Sequence, residues 1–186
     1  MSVETLVEHA KKLGILALAV TDINNTSACF DVVKLCNEQR IKPIVGMECR
    51  DGDQYLFTCI AKNHEGLREI NDFLTEHNLD QKPFSSSAPE FSHVFVLYAP
   101  GTRSLNQLRE NEYIGVRPWE INKLYASEYQ RQRDKLIAQY PATFTRVGDY
   151  ELHKLLRAVD HNTLLSMLNH AGVKGFASRG KGCLLG

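Results

Sequence analysis

Two carboxylates stand where strands of the predicted fold end and where a metal ion could be bound. Asp22 comes just after an apolar run over 15–20, and Glu48 ends a second apolar run that begins at Lys42. Both runs predict β-strands, joined by a helix. A right-handed crossover would then place both carboxylates at the carboxyl edge of a parallel sheet, where α/β proteins build their sites. Two hard oxygen ligands facing one pocket could begin a site for a divalent cation.

A structural role is the alternative for both carboxylates. Asp22 belongs to a Thr-Asp-Ile-Asn-Asn loop ahead of a predicted helix, where such side chains commonly cap the backbone. Glu48 stands shortly before a turn and could simply be solvated. The histidines do not complete a metal site, because the sequence contains neither His-x-His nor His-Glu-x-x-His.

Arg131, Arg133 and Lys135 form a basic stretch that could contact the phosphates of a nucleic acid. The element predicted there is a charged helix over 129–138, and a solvated helix face is the alternative interpretation. The whole chain has 22 Lys and Arg against 22 Asp and Glu, so its net charge is zero. A neutral domain is expected to bind DNA weakly and with a steep dependence on salt.

The remaining motifs exclude several other classes of protein. The sequence has no P-loop, no Gly-x-Gly-x-x-Gly and no Gly-x-Ser-x-Gly. Its five cysteines include no Cys-x-x-Cys pair, so we expect small buried side chains in a reducing compartment. No apolar run approaches the ~18 residues of a membrane span, and the N-terminus has no signal-peptide pattern. A cytoplasmic location is therefore expected.

The 186 residues are enough for one α/β domain with its own core. Periodicity and turn residues predict strands over 15–20, 42–48, 55–61, 93–98, 112–116 and 142–144. They predict helices over 3–13, 26–39, 64–77, 118–124, 129–138 and 149–168, the last with Leu152, Leu155, Leu156 and Val159 facing inward. This alternation indicates a parallel sheet, either open or closed as a barrel. The glycine-rich segment 169–186 is expected to be a flexible basic tail.

Several segments, taken in order, resemble one family of domains. They lie at 1–7 with 19–27 (AVTDINNTS), 41–48 (IKPIVGME), 60–66 (IAKNHEG), 108–118 (LRENEYIGVRP) and 149–158 (DYELHKLLRA). The family is the polymerase and histidinol phosphatase (PHP) domain, in the form found at the N-terminus of bacterial DNA polymerase III alpha-type subunits. The resemblance covers about residues 1–168, which we expect to form the domain, and it rests on the order and spacing of the segments.

The resemblance implies a distorted (β/α)7 TIM-like barrel of the PHP type, lacking its first strand because the matched sequence starts after it. In active members, metal ions at the strand ends hydrolyse phosphoesters by polarising the phosphoryl group. Glu48 matches a ligand glutamate and is the expected remnant ligand, with Asp22 supporting the site without binding metal itself. The family motif Thr-Asp-His is Thr21-Asp22-Ile23 here, and no Asp-x-His pair occurs near 141–144. We therefore expect a degenerate site without catalytic residues or cofactor; zinc, manganese or magnesium would bind only if other ligands completed it.

The resemblance further implies a non-catalytic scaffold domain of a DNA polymerase III alpha-type subunit, acting in DNA replication. Its expected partners are the remainder of that subunit and the proofreading exonuclease subunit, with weak DNA contact at most and no membrane. The polymerase aspartates of the family lie downstream of the matched region, so this chain is not expected to polymerise DNA. The alternative is a metal-dependent phosphoesterase or 3′–5′ exonuclease. Without a first strand, the strand over 15–20 is expected to present an unpaired edge that favours self-association.

Overall fold

The fold combines helices with a single β-sheet. The computed structural model describes residues 2–125, 127–141, 144, 147–160 and 162–167. Within them the helices are α1 (Val3–Lys12), α2 (Cys29–Glu38), α3 (His64–Asp80) and α4 (Val147–Asp160). The strands are β1 (Ala17–Ile23), β2 (Lys42–Asp51), β3 (Gln54–Ala61), β4 (Val94–Tyr98), β5 (Glu112–Val116) and β6 (Leu136–Ala138). One compact unit, Leu16–Gln139, holds the sheet with α2 and α3, and a second unit, Met1–Ile15 with Tyr140–Gly186, holds α1 and α4.

The six strands form a curled sheet, a half-barrel in which strand order follows the sequence from β1 to β6. β1 and β2 are parallel, and so are β4, β5 and β6, whereas β3 runs antiparallel to both of its neighbours. The strands predicted between 15 and 116 are confirmed. The turn residues at 51–53 and the strand predicted over 55–61 indicate a returning strand, and this is confirmed, because a two-residue turn at Gly52 and Asp53 sends the chain straight back along β2. The expected parallel sheet is therefore mixed, with β3 as its antiparallel strand.

One face of the sheet packs into the apolar core. Alternate residues of each strand point to this face, as the pleat requires, and Ile70 of α3 packs among them. The fully buried strand residues on this face include Met47, Cys49, Phe57, Cys59, Val96, Tyr98 and Ile114. The Phe57 ring meets the Tyr98 ring edge-on, with centroids 5.9 Å apart. Burying an aromatic side chain of this size stabilises the fold by about 1.5–3 kcal/mol. Packing on the core face therefore holds the strands in place, and these strands position the residues of the opposite face.

The cysteines serve this core as small apolar side chains. Cys29, Cys36, Cys49 and Cys59 are buried free thiols, which confirms the predicted burial of these four; Cys183 lies outside the described residues. Burial, assisted by the nearby Glu48 charge, raises the pKa of Cys49 to about 12. A thiol with such a pKa is protonated at neutral pH and is a poor nucleophile.

β2 and β3 approach each other so closely at Gly46 that no larger residue fits. A Cβ added at Gly46 would collide with the backbone carbonyl of Cys59 on the neighbouring strand. The close approach holds the register in which Gly46 faces Ile60 and Glu48 faces Thr58. A glycine two residues before the candidate site thus helps to set the position of Glu48.

The segment 129–138 is not the charged helix that its composition predicted. Glu128–Gln130 and Arg133–Lys135 are 3-10 turns, and Leu136–Ala138 joins the sheet as β6, parallel to β5. Tyr129 is buried here, accepting a hydrogen bond from the Gly101 N–H and donating one to the Arg103 carbonyl. A short helix without an apolar stripe is marginal in water, so these tertiary contacts decide the local structure. The predicted helix over 118–124 is a 3-10 helix that starts at Pro118.

The inward orientation predicted for the last helix is wrong. α4 ends at Asp160, and the stripe over 152–159 lies at the surface, with Leu156 58% and Val159 71% exposed. The aromatic contacts described for α4 are made by residues outside this stripe. Phe144 packs against Tyr150 and His153 at centroid distances of 5.9 and 5.5 Å. Helical spacing reveals an apolar stripe but does not say what covers it. The predicted strand at 142–144, apart from Phe144, and the predicted tail at 169–186 lie outside the described residues.

β1 forms one edge of the sheet, since β2 is its only partner among the strands described. Leu18 is the one buried residue of β1, and Leu16 just before the strand is 82% exposed. An apolar edge of this kind is a template for pairing with another strand, so self-association stays a prediction. None of the helices within the described ranges combines the length and the apolar composition that a membrane crossing requires.

Candidate functional site

Asp22 and Glu48 lie on opposite faces of the sheet. β1 pairs with β2 so that Asp22 is beside Met47, whereas Ile23 is beside Glu48. Neighbouring residues in register point to the same face, so Asp22 is on the core face with Met47. Consistently, burial and then the Asp22 charge raise the pKa of the Cys29 thiol, which places Asp22 near α2. The two carboxylates therefore do not face one pocket.

Glu48 is held by a cation of the chain itself. Its Oε1 atom lies 2.5 Å from the Nε atom of Arg50, two residues further along β2 and on the same face. Both side chains are largely enclosed, with 14% of Arg50 and 17% of Glu48 exposed. Thr58 is buried opposite Glu48 on β3, and on the other side β1 presents the apolar Ile23. The site is thus built as an ion pair with an apolar neighbour.

The end of β1 is fastened to β2 by Asn24. Its backbone has a positive φ of 49°, which asparagine tolerates better than most residues, and its N–H donates to the Glu48 carbonyl at 2.9 Å. Its side-chain amide continues the ladder. Nδ2 donates to the Arg50 carbonyl at 2.9 Å, and Oδ1 accepts from the Arg50 N–H at 2.8 Å. Asn24 therefore fixes the backbone that carries both members of the ion pair.

A β-bulge brings Tyr55 onto the face that carries Glu48. The register shifts between Cys49 and Arg50, so that Arg50 faces Tyr55 and β3 gains one extra residue before Phe57. Tyr55 and Thr58 would otherwise point to opposite faces, and the bulge lets their hydroxyl oxygens come within 3.1 Å. The Tyr55 hydroxyl also donates to the Leu97 carbonyl at 2.8 Å. Burial of this oxygen raises the pKa of Tyr55 to about 12.

Arg117 completes this arrangement from the end of β5. Its guanidinium carbon lies 5.0 Å from the centre of the Tyr55 ring and 6.0 Å from that of the Trp119 ring, both within the range of a cation–π contact. Gln139, just beyond β6, lies near the Tyr55 hydroxyl and, like Arg117, opposes the rise in the pKa of Tyr55 that burial causes. Glu48, Arg50, Tyr55, Thr58 and Arg117 are called the carboxyl-edge cluster below.

The residues of this cluster do not fit a metal centre. Among the described residues no group of three or more His, Cys, Asp and Glu side chains comes together. Glu48 is paired with Arg50, and the neighbouring position on β1 is occupied by Ile23, which cannot bind a metal. A hard divalent cation needs several oxygen ligands, and a guanidinium beside the carboxylate repels it. No chemical step is therefore assigned to a metal ion here.

The basic stretch does not form one cationic face. The Lys135 ammonium donates to the carbonyls of Arg109, Glu110 and Glu112 at 2.9, 2.9 and 3.3 Å, so it closes a loop of the chain. Arg133 instead lines a largely apolar cavity of about 350 Å³ with Ile121, Leu124, Tyr125, Tyr129 and Leu136. Arg131 is exposed in a turn.

Sequence reasoning missed Arg50 and Arg117. Arg50 could have been found, because residues two apart on a strand share a face and an arginine two positions after a glutamate can pair with it. Arg117 gave no such signal, since it stands in an Arg-Pro-Trp segment after a strand and meets Tyr55 only through the fold.

A curled mixed sheet with a polar cluster at the carboxyl edge of its parallel strands defines a barrel-related α/β domain. The chain belongs to the PHP domain family, because the family model described as PHP domain matches residues 1–108, more than half of its length.

Two bacterial polymerases are among its relatives. Over 175 residues the chain is 24% identical to the DNA polymerase III subunit alpha of Staphylococcus epidermidis, covering 91% of the chain and 16% of that protein. Over 89 residues it is 30% identical to the error-prone DNA polymerase of Symbiobacterium thermophilum, covering 48% of the chain and 8% of that protein. The chain thus matches about a sixth of the length of the first of these relatives.

Proposed function

We propose that this chain is a non-catalytic PHP domain that braces a DNA polymerase III alpha-type subunit during DNA replication. The observation that carries the proposal is the ion pair between Glu48 and Arg50 beside Ile23. This arrangement engages the carboxylate in an ion pair, and the part of the chain that the structure describes offers no further set of ligands beside it.

The similarity to polymerases supports the proposed role as a bracing domain of a DNA polymerase III alpha-type subunit. The relative from Staphylococcus epidermidis matches nearly the whole chain, yet the match is only 16% of that polymerase. A domain of this kind would work as one part of a longer polypeptide in the cytoplasm. Its partners would be the remainder of the polymerase subunit and the proofreading exonuclease subunit. Residues 1–168 would form the domain, as a (β/α)7-type barrel without its first strand.

Metal content tests the non-catalytic part directly. The purified chain is incubated with zinc and manganese, passed through a desalting column and analysed by elemental mass spectrometry. We expect no stoichiometric metal. A tightly bound ion in each molecule would mean that other ligands complete the Glu48 site, and the proposal of a degenerate centre would fail.

Assembly tests the scaffold part. A full-length polymerase subunit of the same source is compared with a version from which the region matching this chain has been deleted. We expect the deletion to lower the thermal midpoint of the remaining polypeptide, and the separate chain to co-elute with it in gel filtration. An unchanged midpoint and no co-elution would refute the bracing role.

A metal-dependent phosphoesterase or 3′–5′ exonuclease is the second candidate. It is favoured by the position of Glu48 at the carboxyl edge of the sheet, where active members of the resembled family bind their metals. It predicts phosphate release from p-nitrophenyl phosphate with added manganese or zinc, and loss of that release in Glu48→Ala. Activity that survives Glu48→Ala would come from a contaminant.

A weak DNA contact through the basic stretch is a further, minor proposal. Only Arg131 and Arg133 are available for it, because Lys135 is engaged by three backbone carbonyls. Binding of a DNA duplex should fall steeply between low and physiological salt, and it should fall further in the double variant Arg131→Ala and Arg133→Ala. Binding that is indifferent to both changes would remove this role.

A further inference from the structure

Arg117 is a half-buried cation with no anionic partner in the described part of the chain. Its guanidinium stacks on Tyr55 and Trp119. No carboxylate among the described residues forms an ion pair with it. The nearest candidate in sequence, Glu120, pairs with Lys123 at 3.0 Å and accepts a hydrogen bond from the backbone N–H of Arg117. A guanidinium carries five N–H donors in a rigid fork, and stacking on rings satisfies none of them.

The charged side chains of the carboxyl-edge cluster, Glu48, Arg50 and Arg117, sum to one positive charge. Glu48 is matched by Arg50 in the carboxyl-edge cluster, and Asp22 lies on the other face of the sheet. The field of Arg117 also reaches Tyr55, where it opposes the rise of pKa that burial causes. An anion that approaches the carboxyl-edge cluster therefore meets one uncompensated positive charge on a half-buried arginine.

Trp119 lies beside this cation with an accessible ring. It is 40% exposed, and its ring centre is 6.0 Å from the Arg117 guanidinium carbon. An exposed aromatic ring next to an arginine is the pairing that binds nucleotides without reading their sequence. The arginine takes the phosphate bidentately, and the ring stacks on the base.

We propose that Arg117 and Trp119 bind a nucleotide at the carboxyl edge of the sheet, phosphate on the guanidinium and base on the indole, without a metal ion. The role of Arg50 is to neutralise Glu48, which would otherwise repel the phosphate. The inference concerns binding alone and does not depend on the proposed part in a polymerase.

Trp119 is the only tryptophan of the chain, so its fluorescence reports on this site directly. The intact chain is titrated with thymidine 5′-monophosphate, inorganic phosphate and thymidine, each at constant ionic strength, once with EDTA and once without it. We expect a saturable change in emission with the nucleotide, a weaker one with inorganic phosphate and none with thymidine.

The matched variants are Arg117→Met, Arg117→Lys and, as a control, Arg68→Gln, which removes an exposed arginine on α3 of the same unit. Arg117→Met should weaken nucleotide binding about tenfold or more, because a charge-assisted bidentate contact is lost. Arg117→Lys keeps the charge and should retain part of the affinity, and Arg68→Gln should bind as the unchanged chain does. If circular dichroism shows Arg117→Met to be unfolded, Arg117→Lys alone carries the comparison.

Several results would overturn the proposal. They are the absence of saturable binding, equal binding of thymidine and its monophosphate, and full affinity in the Arg117 variants. Acetate that competes as well as phosphate would mean that the site takes carboxylates, and binding abolished by EDTA would mean that a metal is involved. Either of these also contradicts the assignment.

Discussion

Replacing either member of the Glu48–Arg50 pair should cost the protein similar amounts of stability, and replacing both should cost no more than either single change. The side chains are joined at 2.5 Å with 14% of Arg50 and 17% of Glu48 exposed. The variants Glu48→Gln and Arg50→Met keep the volume and remove one charge each. Each single variant removes the ion pair and leaves the other charge enclosed, which is the costly event, whereas the double variant removes both charges.

The expected magnitude follows from this exposure. Exposed pairs contribute about 0–1 kcal/mol, and loss of one partner from a fully buried pair costs about 3–5 kcal/mol. A pair that is mostly but not fully enclosed lies between these limits, so each single variant should lower the free energy of unfolding by about 2 kcal/mol. The double variant leaves no enclosed charge behind, so it should lose no more than about 2 kcal/mol, well below the additive sum of about 4.

Urea denaturation followed by circular dichroism measures these differences, with and without zinc and with EDTA. The control is the Glu65–Arg68 pair on α3, whose side chains are 57% and 69% exposed. Its variants Glu65→Gln and Arg68→Met should each change stability by less than about 1 kcal/mol. If zinc stabilised the unchanged chain and Glu48→Gln abolished that gain, Glu48 would be a metal ligand and the reasoning would be refuted. Strictly additive single variants would also refute it.

Three further predictions concern the sheet. Gly46→Ala should destabilise the fold strongly in urea denaturation, because its Cβ has no room against the Cys59 carbonyl, whereas Gly148→Ala, which meets nothing within 4 Å, should not. Because the folded-state pKa of Tyr55 is raised from 10.0 to about 12, its contribution to stability is complete below pH 10 and should be lost as the pH rises from 10 towards 12. A fall of the same size in Tyr55→Phe would contradict this. Ala19→Lys on the edge strand should reduce self-association in light scattering at high concentration, and an unchanged chain that is already monomeric would contradict the exposed-edge argument.

The positions of the strands could be predicted because local chemistry marks them clearly. The apolar run into Glu48 is long and ends at a turn, and the cap Asn63, whose side chain accepts from the Gly66 N–H, starts α3 within one turn of the end of β3. These signals depend on residues near one another in the sequence. They can therefore be interpreted without knowledge of the tertiary fold.

The faces of the sheet could not be predicted so simply, because a shift of one residue exchanges them. Asp22 and Glu48 both follow apolar runs, yet the register pairs Glu48 with Ile23 and leaves Asp22 on the core side. The bulge that turns Tyr55 towards Thr58 is equally hidden, since it depends on how β3 meets β2. The cluster around Tyr55 is therefore a product of pairing rather than of any local motif.

Local patterns also failed to predict two other features. These are the exposure of the apolar stripe of α4 and the structure of the charged segment that ends in β6. In α4 the spacing of Leu152 and Leu156 is helical, but the exposure of both residues shows that amphipathic spacing does not identify the surface it faces. In the segment before β6, buried Tyr129 outweighs the helical tendency of its charged neighbours.

The agreement between strand order and chain order has a consequence for how the domain is made. Each strand from β2 onwards pairs with the one synthesised just before it, and the β2–β3 hairpin closes across only two turn residues. Short sequence separation between partners lowers the entropy lost on forming contacts and speeds folding. Such a sheet can grow strand by strand as the polypeptide leaves the ribosome, and the carboxyl-edge cluster closes only when Arg117 arrives. In a long polypeptide, this order of events would present a finished domain before the following segments begin to fold.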